Sequence, residues 1–292
     1  MAEKDITEKI LMSYADVFAD CVNALAYEGR QRLAEEELQA APTESFYRGK
    51  GKTRNQFCDK SFYRMEEGQI RAQYIIENET RLRRRQVLRK ASYQGGAYRE
   101  QLDGKGPVYP VIGMALDWTS RHSGIPRSLR RLMERSGTCP EELQLVDDVE
   151  LALYHMRNLP GKVRERFRSD MGFVVDYLNE GSLEGRKEQR IVHVEALCRM
   201  MEAVMGDARF TEQIDRLLER RQKGEDVRMC EYLDMLEARG QERGEKIGQK
   251  QGENRLARLI ANLAKEKKYQ EIEEASNDSG RRQELYRRYG IL

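Results

Sequence analysis

Asp59, Glu77 and Glu79 are the residues of this chain whose type and spacing suit chemistry. They lie in the stretch Thr53 to Thr80, TRNQFCDKSFYRMEEGQIRAQYIIENET. Runs containing Val, Ile, Phe or Tyr flank a polar turn, Glu66-Glu67-Gly68, and predict a β-hairpin in which Gly68 supplies the positive φ of a tight turn. A turn centred near residue 67 sets Asp59 opposite residues 75–77. Glu77 is its expected cross-strand neighbour, with side chains about 5 Å apart. Alternation along a strand then puts Glu77 and Glu79 on one face. Carboxylates converging in this way at one end of a sheet suit Mg²⁺ or Mn²⁺, hard cations that take oxygen ligands. The same acids also make an ordinary solvated face. In favour of a cation, the apolar run Tyr74-Ile75-Ile76 leads directly into Glu77, and a carboxylate ending a buried strand needs a positive partner. Arg81, Arg83, Arg84 and Arg85 follow at once, as if an anion were expected nearby.

The elements that must position these acids are readable from periodicity. Lys4 to Tyr27 predicts a helix with Ile6, Ile10, Tyr14, Val17, Phe18, Cys21, Val22 and Leu25 in one stripe and the acids Asp16 and Asp20 on its flank. Leu82 to Leu102 predicts a helix broken at Gly95-Gly96, and Pro107 to Trp118 a buried central strand. Ser128 to Arg135 reads as a short basic helix, Glu150 to His155 as an edge strand and Lys162 to Asn179 as one helix. Ile191 to Leu218 is a helical stretch interrupted at Gly206-Asp207. Glycines at 240, 244, 248 and 252 then recur every fourth residue in a charged context. Each costs about 1 kcal/mol relative to alanine in a helix, which makes this segment a weak helical linker or one packed closely on a partner chain. Leu256, Leu259, Ile260 and Leu263 predict a short amphipathic helix before a tail of two small helices around Asn277 to Gly280. The expected division is 1–180 for the catalytic-type domain, 181–237 for a helical region packing on or extending it, and 238–292 for the glycine-repeat segment and tail.

Composition narrows the class without naming a partner. Lys+Arg is 52 against Asp+Glu at 50, so net charge alone does not demand nucleic acid. The basic residues are nonetheless clustered, at Arg81–Lys90, Arg127–Arg135 and Arg281–Arg288. Cys21, Cys58, Cys139, Cys198 and Cys230 are scattered without CxxC or zinc spacing, which points to reduced thiols and a cytoplasmic location. The charged N-terminus and the lack of any long apolar run predict no signal peptide and no membrane span. His122, His155 and His193 stand in unrelated contexts and read as surface or packing residues. There is no P-loop, GxGxxG after a strand or GxSxG.

Read in order, ADVFADCVNAL, QFCDKSFY, IENET, GGAYREQL, PVYPVI, SDMGFVVDYL, MCEYLDMLEARG and the Gly-x-x-x-Gly tail resemble the Rpn family, the recombination-promoting nucleases, also described as transposases, of the PD-(D/E)XK superfamily. The resemblance implies an α/β, restriction-endonuclease-like mixed sheet flanked by helices, with an α-helical C-terminal extension. It implies Mg²⁺- or Mn²⁺-dependent hydrolysis of DNA phosphodiesters. By position, Asp59 matches the motif aspartate, Glu77 the acid of the ExQ or ExK pair and Asp16 the acid of the first helix; these would be the metal ligands. Glu79 departs from the pattern, standing where Gln or Lys is usual. It is either an added ligand or the mark of a weakened, accessory DNA-binding protein of the same fold. Lys60 should point to the other face, leaving Lys50 or Lys52 as substitutes for the missing cation. Pairing of two copies through the C-terminal helices is the expected assembly.

Overall fold

In the computed structural model residues 10–49, 52–102, 104, 106–120 and 124–291 are described, and the side chains of 45–49, 52–56 and 239 are not. The expectations for residues 4–9, Lys50, the Lys52 side chain and His122 lie outside them. The first elements are α1 (Ala15–Leu25), β1 (Leu38–Ala40), β2 (Glu44–Gly49), β3 (Lys52–Phe57), β4 (Lys60–Glu66) and β5 (Gln69–Glu79). They are followed by α2 (Gln86–Leu102), β6 (Val111–Asp117), α3 (Leu129–Glu134), α4 (Pro140–Gln144) and β7 (Ala152–His155). The helical remainder is α5 (Gly161–Arg164), α6 (Met171–Glu180), α7 (Val194–Met205), α8 (Ile214–Gln222), α9 (Met229–Lys265), α10 (Tyr269–Asn277) and α11 (Ser279–Arg288).

Strands β1-β4-β5-β6-β7 form a mixed five-stranded sheet. The β4–β5 hairpin is antiparallel, while β5, β6 and β7 run parallel. Glu67 and Gly68 have φ of +53° and +73°, the left-handed pair that a two-residue type I′ turn requires. A register shift between Arg64 and Met65 brings Lys60 opposite Ile76, so Asp59 falls opposite Glu77 as expected. The hairpin is shorter than the sequence suggests, because Lys52–Phe57 leaves it to pair with Glu44–Gly49 in a separate two-stranded ribbon.

Strand alternation assigns each helix to a face. Phe62 pairs with Tyr74. Phe18 of α1 packs on Phe62 with ring centroids 4.5 Å apart, and the Tyr27 and Tyr74 hydroxyls lie 2.7 Å apart. That face belongs to α1, and Lys60 lies on it with Ile76. The opposite face carries Ile75, Glu77 and Glu79 and is covered by α2. Tyr93 and Ala97 pack with Ile75 and Val111, and Val87 packs with Ala115 and Leu153. Helix α2 runs unbroken through Gly95-Gly96, since its register against β6 is held by packing that outweighs glycine's poor propensity.

The expected single helix at 162–179 is two, α5 and α6. The cause is a carboxylate on another helix. Asp20 accepts from the backbone N–H groups of Arg168 and Ser169, at 2.9–3.0 Å, and so holds the connection between them out of helical form. Two compact units are distinguished, Met1–Tyr232 and Leu233–Leu292, so residues 181–232 belong with the sheet. In the second unit Leu259 and Leu263 bury against Ala275, Leu285, Tyr286 and Ile291. The glycine-repeat segment is helical despite its composition, with Gln241–Glu245, Glu242–Lys246 and Gln249–Glu253 pairs one turn apart. Among the described residues no helix is long and apolar enough to cross a membrane.

Candidate acid site at the carboxyl end of the parallel strands

The hairpin ladder ends by exchanging backbone for side-chain partners. The Asp59 N–H donates to Glu77 Oε1 at 3.2 Å, and the Asn78 N–H donates to Asp59 Oδ2 at 2.7 Å. These reciprocal bonds bring the Asp59 and Glu77 carboxylates together, as the register predicted. Glu77 and Glu79 are each 5 % exposed, and Asp59 is half-buried. Helix α2 delivers three further groups to the same place. Arg89 reaches Glu79 Oε1 through Nη1 at 2.8 Å and Glu77 Oε2 through Nη2 at 2.9 Å. Its Nε donates to the Tyr93 hydroxyl at 3.0 Å, which donates in turn to the Phe57 carbonyl at 2.7 Å. The Gln86 amide donates to Glu79 Oε1.

Burial, and then repulsion from Asp59, push the Glu77 carboxyl up to about 8; Glu79 adds to this and Arg89 opposes it. Burial likewise raises Glu79, against the pull of Arg89 and Gln86. Arg89 is held more strongly protonated than usual: burial disfavours its charge, but Glu77 and Glu79 more than compensate. A buried carboxyl with a pKa near 8 takes up either a proton or another cation at neutral pH. Asp59 and Glu77 are the two carboxylates here that could hold a small divalent ion, for which one or two carboxylates beside water and phosphate are an ordinary ligand set.

The expected set of Asp59, Glu77 and Asp16 is not assembled. Among the described residues no group of three or more His, Cys, Asp or Glu side chains is gathered for a metal. Asp16 belongs to α1, which covers the other face of the sheet, and both of its carboxylate oxygens lie 2.9 Å from His193 Nε2. Tyr14 stacks on that imidazole with centroids 3.7 Å apart. Asp16 and Asp20 thus tie the first helix to the loops before α6 and α7. Glu79 is on the expected face but is held by Arg89 and Gln86.

The groups that sequence reasoning missed are Gln86, Arg89 and Tyr93. Their spacing of three and four residues puts them on one helix face, a signal present in the sequence but masked by reading Arg81–Lys90 as a single basic cluster. His155, expected at the surface or in packing, meets an acid. Its Nδ1 lies 2.6 Å from Asp117 Oδ2, and Asp117 is in register with Glu79 on the neighbouring strand.

Two basic runs meet beside this site. Leu82 and Leu129 pack on one cluster with Val87 and Leu132, and Arg84 Nη2 donates to the Arg135 carbonyl at 3.2 Å. Arg83, Arg84, Arg85, Arg127, Arg131 and Arg135 are all exposed. Arg83 is close enough to Glu79 to act on its charge. The third run is different: Arg281 pairs with Glu274 and Glu284, and Arg288 with Glu271. No family model, no curated protein and no solved structure matches the chain.

Proposed function

We propose that this protein is a Mg²⁺- or Mn²⁺-dependent DNA endonuclease with a restriction-endonuclease-like core of the Rpn type. The observation that carries the reading is the Asp59–Glu77 pair, drawn together at the end of the β4–β5 ladder where the parallel strands present their carboxyl ends. Openings at that edge of a parallel sheet are the usual place for ligands in α/β proteins. Asp59 and Glu77 are the residues that would hold the ion. When bound, it supplies Lewis acidity and acidifies water for phosphodiester hydrolysis.

The chain's own groups do the rest. Arg83, Arg84, Arg127 and Arg131 offer exposed guanidinium groups to backbone phosphates, which positions the strand without reading its sequence. Before an ion binds, Arg89, aimed by Tyr93, holds Glu77 from the helix side. In the metal-free cluster Glu79 is paired with Arg89 and accepts from the Gln86 amide.

Purified protein should nick or linearise plasmid DNA in Mg²⁺ or Mn²⁺ but not in chelator. Asp59→Ala and Glu77→Ala should each lower the rate by at least about a hundredfold, the scale of losing a group that stabilises the transition state. Cleavage that survives both substitutions would sink the assignment. A second reading, an accessory DNA-binding protein of the same fold, is favoured by the Arg89 bridge, which closes the acid cluster with a side chain. That reading expects salt-sensitive DNA binding and no cleavage by any variant.

A further inference from the structure

The acid cluster contains a bridge that the proposed chemistry does not need. Glu77 has each carboxylate oxygen engaged, Oε1 by the Asp59 N–H at 3.2 Å and Oε2 by Arg89 at 2.9 Å. Each oxygen keeps a second lone pair, but a divalent cation on Glu77 would sit beside the guanidinium on the same carboxylate, and the two positive charges oppose one another. The Asp59 N–H is backbone, fixed by the hairpin register and by the return bond from Asn78 to its own carboxylate. Arg89 is a side chain. It is 38 % exposed, whereas the side chains of Glu77 and Glu79 are 7 % and 6 % exposed. The guanidinium can therefore leave into solvent, while the carboxylates stay where they are.

We propose that Arg89 and a divalent cation are alternative occupants of this cluster, so that the chain carries its own counter-ion until a metal displaces the guanidinium. The inference rests on the reading that Asp59 and Glu77 take a metal. Glu79 gains a role in it: as the second arm of the fork it anchors Arg89 through Nη1 at 2.8 Å. Tyr93 aims the head from behind, with Nε held at 3.0 Å. Two buried carboxylates left ionised without a cation are strongly unfavourable, which favours a positive group in this place. An arginine holds two carboxylates with two parallel N–H donors, a stronger arrangement than single-point pairing. Exchange is accordingly expected only at metal concentrations high enough to outcompete the fork.

The test is Mn²⁺ binding to the full-length chain, followed by calorimetry and by the Mn²⁺ paramagnetic resonance signal, with thermal melts in parallel. The proteins are wild type, Arg89→Gln, Glu79→Gln and the double variant Arg89→Gln/Asp59→Asn. Arg89→Gln is expected to bind Mn²⁺ about tenfold more tightly than wild type or better, within the usual range for coupling between two ligands. Its melting temperature should also rise more on adding Mn²⁺, because the ion binds the native state only. Glu79→Gln, which loses one arm, should show a smaller gain. The Asp59→Asn change should abolish the gain, placing the ion at this cluster. Folded Arg89→Gln that binds Mn²⁺ no more tightly than wild type overturns the proposal. If Arg89→Gln does not fold, Glu79→Gln decides on the same criterion. DNA cleavage is recorded separately: a gain in Mn²⁺ affinity with no cleavage by any variant supports the exchange and removes the nuclease reading.

Discussion

Buried carboxylates in this protein divide by what satisfies them. Asp20, 6 % exposed, accepts the Arg168 and Ser169 N–H groups and the Ser169 hydroxyl at 2.7 Å. Burial raises its pKa, and those donors act against the rise. Such a carboxylate is a structural tie. Replacing it takes the acceptor from two part-buried backbone donors and a hydroxyl, so Asp20→Ala should cost on the order of 2 kcal/mol in urea denaturation of the full chain. Activity per folded molecule should be unchanged, since Asp20 belongs to the α1 face. Glu77 is the opposite case. One backbone N–H and one half-buried guanidinium are a thin shell for a buried acid beside two other acids, and this excess of negative charge over donors is what the proposed cation site rests on. The residue types alone could not separate these cases. Asp16, Asp20, Asp59 and Glu77 are equivalent as letters, and only the donors brought by distant loops tell them apart.

At the scale of elements, what was legible in the sequence depended on whether the cause was local. The Glu67-Gly68 turn fixes its own geometry, and through it the Asp59–Glu77 pairing, so half of the candidate site followed from turn chemistry and alternation. The interior strand β6 and the edge strand β7 were legible for the same reason. The break between α5 and α6 was not, because it is imposed by Asp20 from well over a hundred positions away. Nor was the departure of β3 into a ribbon with β2, which is a choice between pairing partners that strand propensity does not decide. The tail turn was legible, and it has a specific cause. Asp278 accepts from the Gly280 and Arg281 N–H groups at 2.7 and 3.1 Å and caps α11. Those bonds hold its carboxyl below the ordinary 3.8. A carboxylate with a depressed folded pKa stabilises the fold above its unfolded pKa and loses that contribution as pH falls through the folded value. Asp278→Ala should therefore weaken hydrogen-exchange protection of the first α11 amides at neutral pH. The difference from wild type should narrow as pH falls through the folded value, below 3.8, where the charge-assisted part of the cap is lost; a gap that does not narrow there contradicts an ionised cap.

At the scale of the whole molecule, a formal charge of +2 conceals an uneven surface. Basic runs separated by some forty positions in sequence are joined by Leu82, Val87, Leu129 and Leu132 into one patch beside the acids, with Arg84 bonded to the Arg135 carbonyl. In the C-terminal run Arg281 and Arg288 are instead paired with glutamates one turn or one helix away. Charge count cannot rank these runs, but pairing can: an arginine already matched to a carboxylate releases few counterions when it meets a phosphate. The logarithm of affinity for duplex DNA falls with the logarithm of salt by about 0.9 for each phosphate neutralised. Arg84→Glu combined with Arg131→Glu should then weaken binding and flatten that slope by roughly two, while Arg281→Glu with Arg288→Glu should leave the slope nearly unchanged. Binding titrations across a salt series with one non-specific duplex make the comparison. A slope that flattens with the C-terminal pair and not with Arg84 and Arg131 would move the nucleic-acid surface off the acid site, and with it the reason for placing a phosphodiester beside Asp59 and Glu77.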